Sequence, residues 1–139
     1  MEQKIIAYAR AAQNDDGKTR WLKIGEVGAV DKILASTGVD LAGYSHILDA
    51  SKIKHVMLRH GNDATERKNN QRGITAADFS KVASIVDEHD NVSLSQKTSN
   101  GNLKALIFVK QIGNEKFYYV TEVRAGRKQL APATLYVKI

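Results

Sequence analysis

The C-terminal stretch Ala133-Thr134-Leu135-Tyr136-Val137-Lys138-Ile139 alternates apolar and polar side chains without a break. A period of two is that of a β-strand with one dry and one wet face. Ala133, Leu135, Val137 and Ile139 then belong to the core side. Thr134, Tyr136 and Lys138 set a hydroxyl, a phenol and an ammonium in a row on the other. Upstream, Phe117 to Arg124 and Leu103 to Ile112 read as further strands, separated by turns at Ala125-Gly126-Arg127 and Gly113-Asn114. Leu106, Ile107, Phe108 and Val109 are apolar on both faces, which predicts a central strand. Val92 to Gln96, joined through Ser99-Asn100-Gly101-Asn102, completes an antiparallel sheet.

The chain before this sheet is mainly helical. Ile5 to Ala12 is helix-permissive and ends at the turn-like Asn14-Asp15-Asp16-Gly17, and Trp21 to Val27 alternates as a strand. Ala29 to Ser36 reads as a short helix with Val30, Ile33 and Leu34 on one face and Gly38 as its stop. Asp49 or Ser51 can cap a helix over residues 50–59, with Ile53, Val56 and Met57 as its apolar stripe and Gly61 as its C-cap. Asn62 to Gly73 is a polar run of twelve residues, read as a functional or disordered loop. Thr75-Ala76-Ala77-Asp78 has capping-box form and opens a helix through Phe79, Val82, Ile85 and Val86. His89 at its end is expected on the surface, answering the helix dipole.

At 139 residues the chain fits a single domain, and 42% apolar with 26% charged residues is the balance of an ordinary soluble globule. No apolar run approaches the roughly 20 residues of a membrane span. The N-terminus lacks a basic region followed by an apolar core, so no signal peptide is expected, which leaves room for the chain to be the end of a longer exported protein. Zero cysteines exclude disulfides, thiolate nucleophiles and cysteine zinc sites. The net charge of +6 points to a polyanionic partner. All of that excess lies after residue 96, in Lys97, Lys104, Lys110, Lys116, Arg124, Arg127, Lys128 and Lys138 against Glu115 and Glu122.

His55-Val56-Met57-Leu58-Arg59-His60-Gly61 concentrates proton carriers around a fixed cation. Metal-independent RNA cleavage needs a base for the ribose 2′-hydroxyl, an acid for the departing 5′ oxygen, and donors for the phosphorane. His55 and His60 can move protons; Arg59, Arg72, Arg124, Lys110 and Lys138 are candidate cations; Thr134 and Tyr136 can donate to phosphate. Each has a plainer role available: His46 as a partly buried, hydrogen-bonded residue, His55 as a donor to a backbone carbonyl, and the last strand as a simply solvated face. Zinc has weak support, because His-x4-His is not the i,i+4 pair of a zinc-protease helix. Glycine-rich phosphate loops and Gly-x-Ser-x-Gly are absent. No cofactor is expected.

The order Tyr44-x-His46, Ile53-x-His55-x4-His60-Gly61, a polar loop with Arg72-Gly73, a short helix, and strands ending in Thr134-x-Tyr136 resembles the phage and polymorphic-toxin branch of the barnase–EndoU–colicin–RelE-like ribonucleases. The resemblance covers residues 41–139, taken as the nuclease core, with 1–40 as an N-terminal extension of the same domain. It implies an α+β fold, with N-terminal helices packed on a twisted C-terminal antiparallel sheet. It also implies a metal-independent endoribonuclease, a bacterial or phage-borne toxin that leaves a 2′,3′-cyclic phosphate. His60 is implicated first and His55 second, with Arg72 as the loop cation, for which Arg59 and Arg67 are alternatives, and Thr134 with Tyr136 on the late strand. The same resemblance implies RNA as partner (transfer RNA being a frequent target), a cognate immunity protein, a monomer, and action in the bacterial cytoplasm after delivery within a larger secreted or phage protein. The competing reading is a non-catalytic RNA- or protein-binding phage module on the same scaffold.

Overall fold

The computed structural model describes residues 1–14, 21–98 and 100–139, so the turn expected at Asp15-Asp16-Gly17 and residue Ser99 lie outside the described residues. In chain order come α1 (Glu2–Ala12), β1 (Trp21–Glu26), α2 (Val30–Thr37), β2 (Ser45–Asp49), α3 (Ala50–His60), α4 (Asp63–Arg67) and β3 (Gln71–Arg72). A 3-10 turn (Ala76–Lys81) leads into α5 (Val82–Asp87), followed by β4 (Asn91–Leu94), β5 (Ala105–Ile112), β6 (Glu115–Arg124) and β7 (Gln129–Lys138). The strands form one sheet in the order β1-β2-β7-β6-β5-β4, and β3 pairs with the far end of β7. The fold is α+β. The sheet is mixed rather than wholly antiparallel, because β2 runs parallel to the start of β7, Ser45 opposite Gln129.

β5 is flanked on both sides, as its two-faced apolarity requires. One sheet face carries Phe108, Phe117, Tyr119, Leu135 and Val137, all fully buried with Phe79, Val82, Ile85 and Val86 in a single core. The predicted capping box is present, with Thr75 and Asp78 exchanging hydrogen bonds at the start of the 3-10 turn. Ile5, Ala9 and Ala12 bring α1 into the same core, and Ile53 and Val56 bring α3.

The alternation of β7 is interrupted once. Pro132, the chain's only proline, lies opposite Thr121, whereas Val120 pairs with Thr134, so Ala133 is an inserted residue. Proline has no N–H for the ladder, and a β-bulge accommodates it. Ala133, expected on the core side, consequently lines the basin on the opposite face.

Two histidines are structural. His46 Nε2 is 2.9 Å from the Tyr119 hydroxyl, and burial lowers the imidazole to a pKa of about 3, so it stays neutral. His89 corrects the expectation of a surface residue: it is 2% exposed. Its Nδ1–H donates to the Val86 carbonyl at 2.7 Å, and its ring meets the edge of Phe108. α5 stops at Asp87, and the chain carries His89 inward on its way to β4.

Candidate active site

Asp49 starts α3 by accepting from Ser51 N–H at 3.1 Å. With Ile53 and Val56 committed to the core, His55 and Arg59 are left on the exposed side, and His60 falls in the last turn. The polar run that follows is not a loop throughout. Asn62 accepts from Thr65 N–H and caps α4, and Asp63 accepts from Gly73 N–H at 2.9 Å. A Cβ at Gly73 would stand 2.9 Å from the Asp63 nitrogen, so only glycine allows this closure.

The closure brings Glu66 beneath α3. Glu66 is 4% exposed, and its Oε1 lies 2.6 Å from His60 Nδ1. A carboxylate accepts and cannot donate, so Nδ1 carries the proton and Nε2 is left free to exchange one. The other side of the imidazole faces Tyr136, ring centroids 5.7 Å apart.

His60 and Tyr136 border a basin of about 470 Å³, with Glu66 behind His60 and outside its lining. His55, Arg59, His60 and Gln71 form one side, Ala133, Thr134 and Tyr136 the floor with Ile107 and Val120, and Ser95, Lys97 and Thr98 the opposite rim. Thr134 Oγ1 is buried without a hydrogen-bond partner among the described residues. Burial, reinforced by Tyr118, raises the Tyr136 phenol above its ordinary range, which keeps it a neutral donor. Burial lowers the His55 imidazole, helped by the charges of Arg59, Lys52 and His60, so its neutral form predominates at pH 7. Among the described residues no group of three or more His, Asp or Glu side chains is placed to hold a metal.

The sequence profile of the phage-Barnase-EndoU-ColicinE5/D-RelE like nuclease 3 family matches residues 23–139. The chain belongs to that nuclease family. The match starts within β1 and covers all the later strands of the sheet. No curated protein and no solved structure matches the chain.

In this member of the family the fold gathers His55, Arg59, His60, Thr134 and Tyr136, which the sequence could only nominate from two separate stretches of the chain. Arg72 is not among the lining residues. Its guanidinium forms a fork with both oxygens of Asp78 at 2.8 Å, donates to the Gly73 carbonyl, and pairs with Glu115. These partners hold its charge firmly. Arg124 is likewise committed, to Glu122 at 2.9 Å and Asp49 at 3.1 Å. Lys110 belongs to the other sheet face, opposite Phe117, and its ammonium donates to the Glu88 carbonyl. Lys138 stands just beyond the basin, 5.0 Å from the centre of the Tyr118 ring.

The nuclease residue that sequence reasoning missed is Glu66. Asn62-Asp63-Ala64-Thr65-Glu66 does hold a helix-start signal, an N-cap asparagine with acids in the first turn. That signal suggests α4 but not the direction in which Glu66 points. Gln71 and Lys97 were also unforeseen.

Proposed function

We propose that this nuclease is a metal-independent endoribonuclease whose proton-transfer groups are His60 and His55. The observation that carries this reading is the His60–Glu66 pair set against Tyr136 at the edge of the basin. Neutral His55 takes the 2′-hydroxyl proton, the 2′ oxygen bonds to phosphorus, and the bond to the 5′ oxygen breaks. His60, protonated and oriented by Glu66, returns a proton to the departing 5′ oxygen. The products are a 2′,3′-cyclic phosphate and a 5′-hydroxyl.

Arg59 is the cation for the phosphorane, and Thr134 and Tyr136 donate to its oxygens. The Thr134 hydroxyl, buried and without a partner among the described residues, supports this role, since an unsatisfied buried donor costs stability unless a ligand uses it. Requirement for the 2′-hydroxyl makes the reaction specific to RNA. The setting we infer is a phage-borne or bacterial toxin domain that acts as a monomer in the bacterial cytoplasm, on transfer RNA among other substrates, and is countered by an immunity protein. Incubation of RNA with the protein in EDTA tests the chemistry: new cyclic-phosphate ends are expected, and RNA bound without cleavage would leave only a binding module.

A further inference from the structure

The wet face continues past Tyr136 into residues that the proton-transfer chemistry does not use. Tyr118 is the cross-strand partner of Tyr136, and their rings stack with centroids 4.9 Å apart and planes 3° from parallel. One row further along the same two strands, about 6.8 Å on, Lys116 faces Lys138. Their ammonium groups rest 5.9 Å and 5.0 Å from the centre of the Tyr118 ring. Arg72 and Arg124 are each held by two carboxylates, but neither lysine has an acidic partner among the described residues. His60, Tyr136, Tyr118 and the lysine pair therefore form one continuous row leading out of the basin.

We propose that Tyr118, Lys116 and Lys138 form a stacking subsite for one unpaired RNA base adjacent to the scissile phosphate, a reading that rests on the ribonuclease assignment. An aromatic face offers a nucleobase a sequence-tolerant platform, and mobile ammonium groups beside it suit the flanking phosphates. On binding, the base takes the outer face of Tyr118 that the lysines now cover, and the lysines shift to the phosphates. A nucleotide inside a duplex is stacked on both faces by its neighbours, so the subsite selects single-stranded segments. An acidic peptide would use the lysines but leave the stacked tyrosines without a role.

The test uses a fluorescein-labelled hexamer of 2′-O-methyluridine, which cannot be cut, and a blunt 2′-O-methyl RNA duplex. Binding is read by fluorescence anisotropy, with thermal unfolding of each variant as a control. Tyr118→Leu is expected to weaken hexamer binding about 10-fold, while Tyr118→Phe stays close to wild type. Lys116→Gln with Lys138→Gln, both on exposed positions, should flatten the salt dependence by about 0.7 per lysine and carries the test if Tyr118→Leu fails to fold. Unchanged binding by Tyr118→Leu, an unchanged salt slope in the lysine variant, equal affinity for the duplex, or no binding to either probe would overturn the subsite. A wild-type protein that binds in a Tyr118-dependent way yet never cuts RNA would overturn the ribonuclease reading alone. One that cuts RNA while Tyr118→Leu binds normally would overturn the subsite alone.

Discussion

His60 Nδ1 and Glu66 Oε1 are 2.6 Å apart, although the two residues belong to different helices and Glu66 is almost completely buried. A buried carboxylate is costly unless its oxygens are satisfied, and here the imidazole answers it. The same contact fixes the ring and its tautomer, leaving Nε2 for proton exchange. Position and chemistry come from one hydrogen bond.

Glu66→Gln removes the charge and allows an amide N–H to face Nδ1, which undoes the orientation. RNA cleavage is expected to lose about 100-fold in kcat with KM little changed, the size of one proton-transfer contribution. Steady-state kinetics on a short RNA decides it. An equal loss in KM with kcat preserved would make Glu66 a shaper of the binding surface instead.

Thr134→Val keeps the side-chain volume and deletes a hydroxyl that has no partner among the described residues. Thermal stability should hold or rise slightly, since no hydrogen bond is lost. Cleavage should fall about 10-fold, for loss of one donor to the phosphate. Loss of stability without loss of activity would show that the hydroxyl serves the fold.

The acid limb of the pH–rate profile should lie below the ordinary histidine value of 6.5, because burial and neighbouring cations lower His55. A general base works in its neutral form, so activity is lost as pH falls through that lowered value. Arg59→Gln removes one of those cations, and the limb should then move upward. A profile whose acid limb ignores Arg59 would exclude His55 as the base.

Arg72→Ala leaves Glu115 without its cation and Asp78 with only the more distant Lys81 ammonium, 3.9 Å away. Asp78 is 3% exposed at its side chain, so the expected loss is about 3 kcal/mol of stability. Below its unfolding temperature the variant should still cut RNA, because Arg72 lies outside the basin. Denaturant unfolding and activity on the same sample separate the two effects. A folded but inactive Arg72→Ala would restore the catalytic role that the sequence alone suggests.

The parts of the site that alternate or repeat were open to reading, and those that depend on a partner were not. Thr134 and Tyr136 were legible because β7 has period two over most of its length, and only the bulge at Ala133 broke the pattern. α3 announced itself through Asp49, Ile53 and Val56. Arg72 and Arg124 showed their charge in the sequence but not the carboxylates that occupy them, of which Asp78, Glu115 and Asp49 come from elsewhere in the chain and Glu122 from the same strand as Arg124. Glu66 sat in a run polar enough to pass for solvent-exposed loop, whereas the Asn62 cap, the tie between Asp63 and Gly73 and the contact with His60 hold it inward. His89 misled for a similar reason, since the end of a helix is exposed only if the chain does not fold back over it.

The most direct test of the whole account is cleavage of total RNA in EDTA by the wild-type protein and by His60→Ala, with mapping of the new ends. Fragments ending in 2′,3′-cyclic phosphate are expected from the wild type, none from His60→Ala, and nearly equal thermal transitions for the two. Equal cleavage by His60→Ala, or cleavage by the wild type only after a divalent metal is restored, would contradict it.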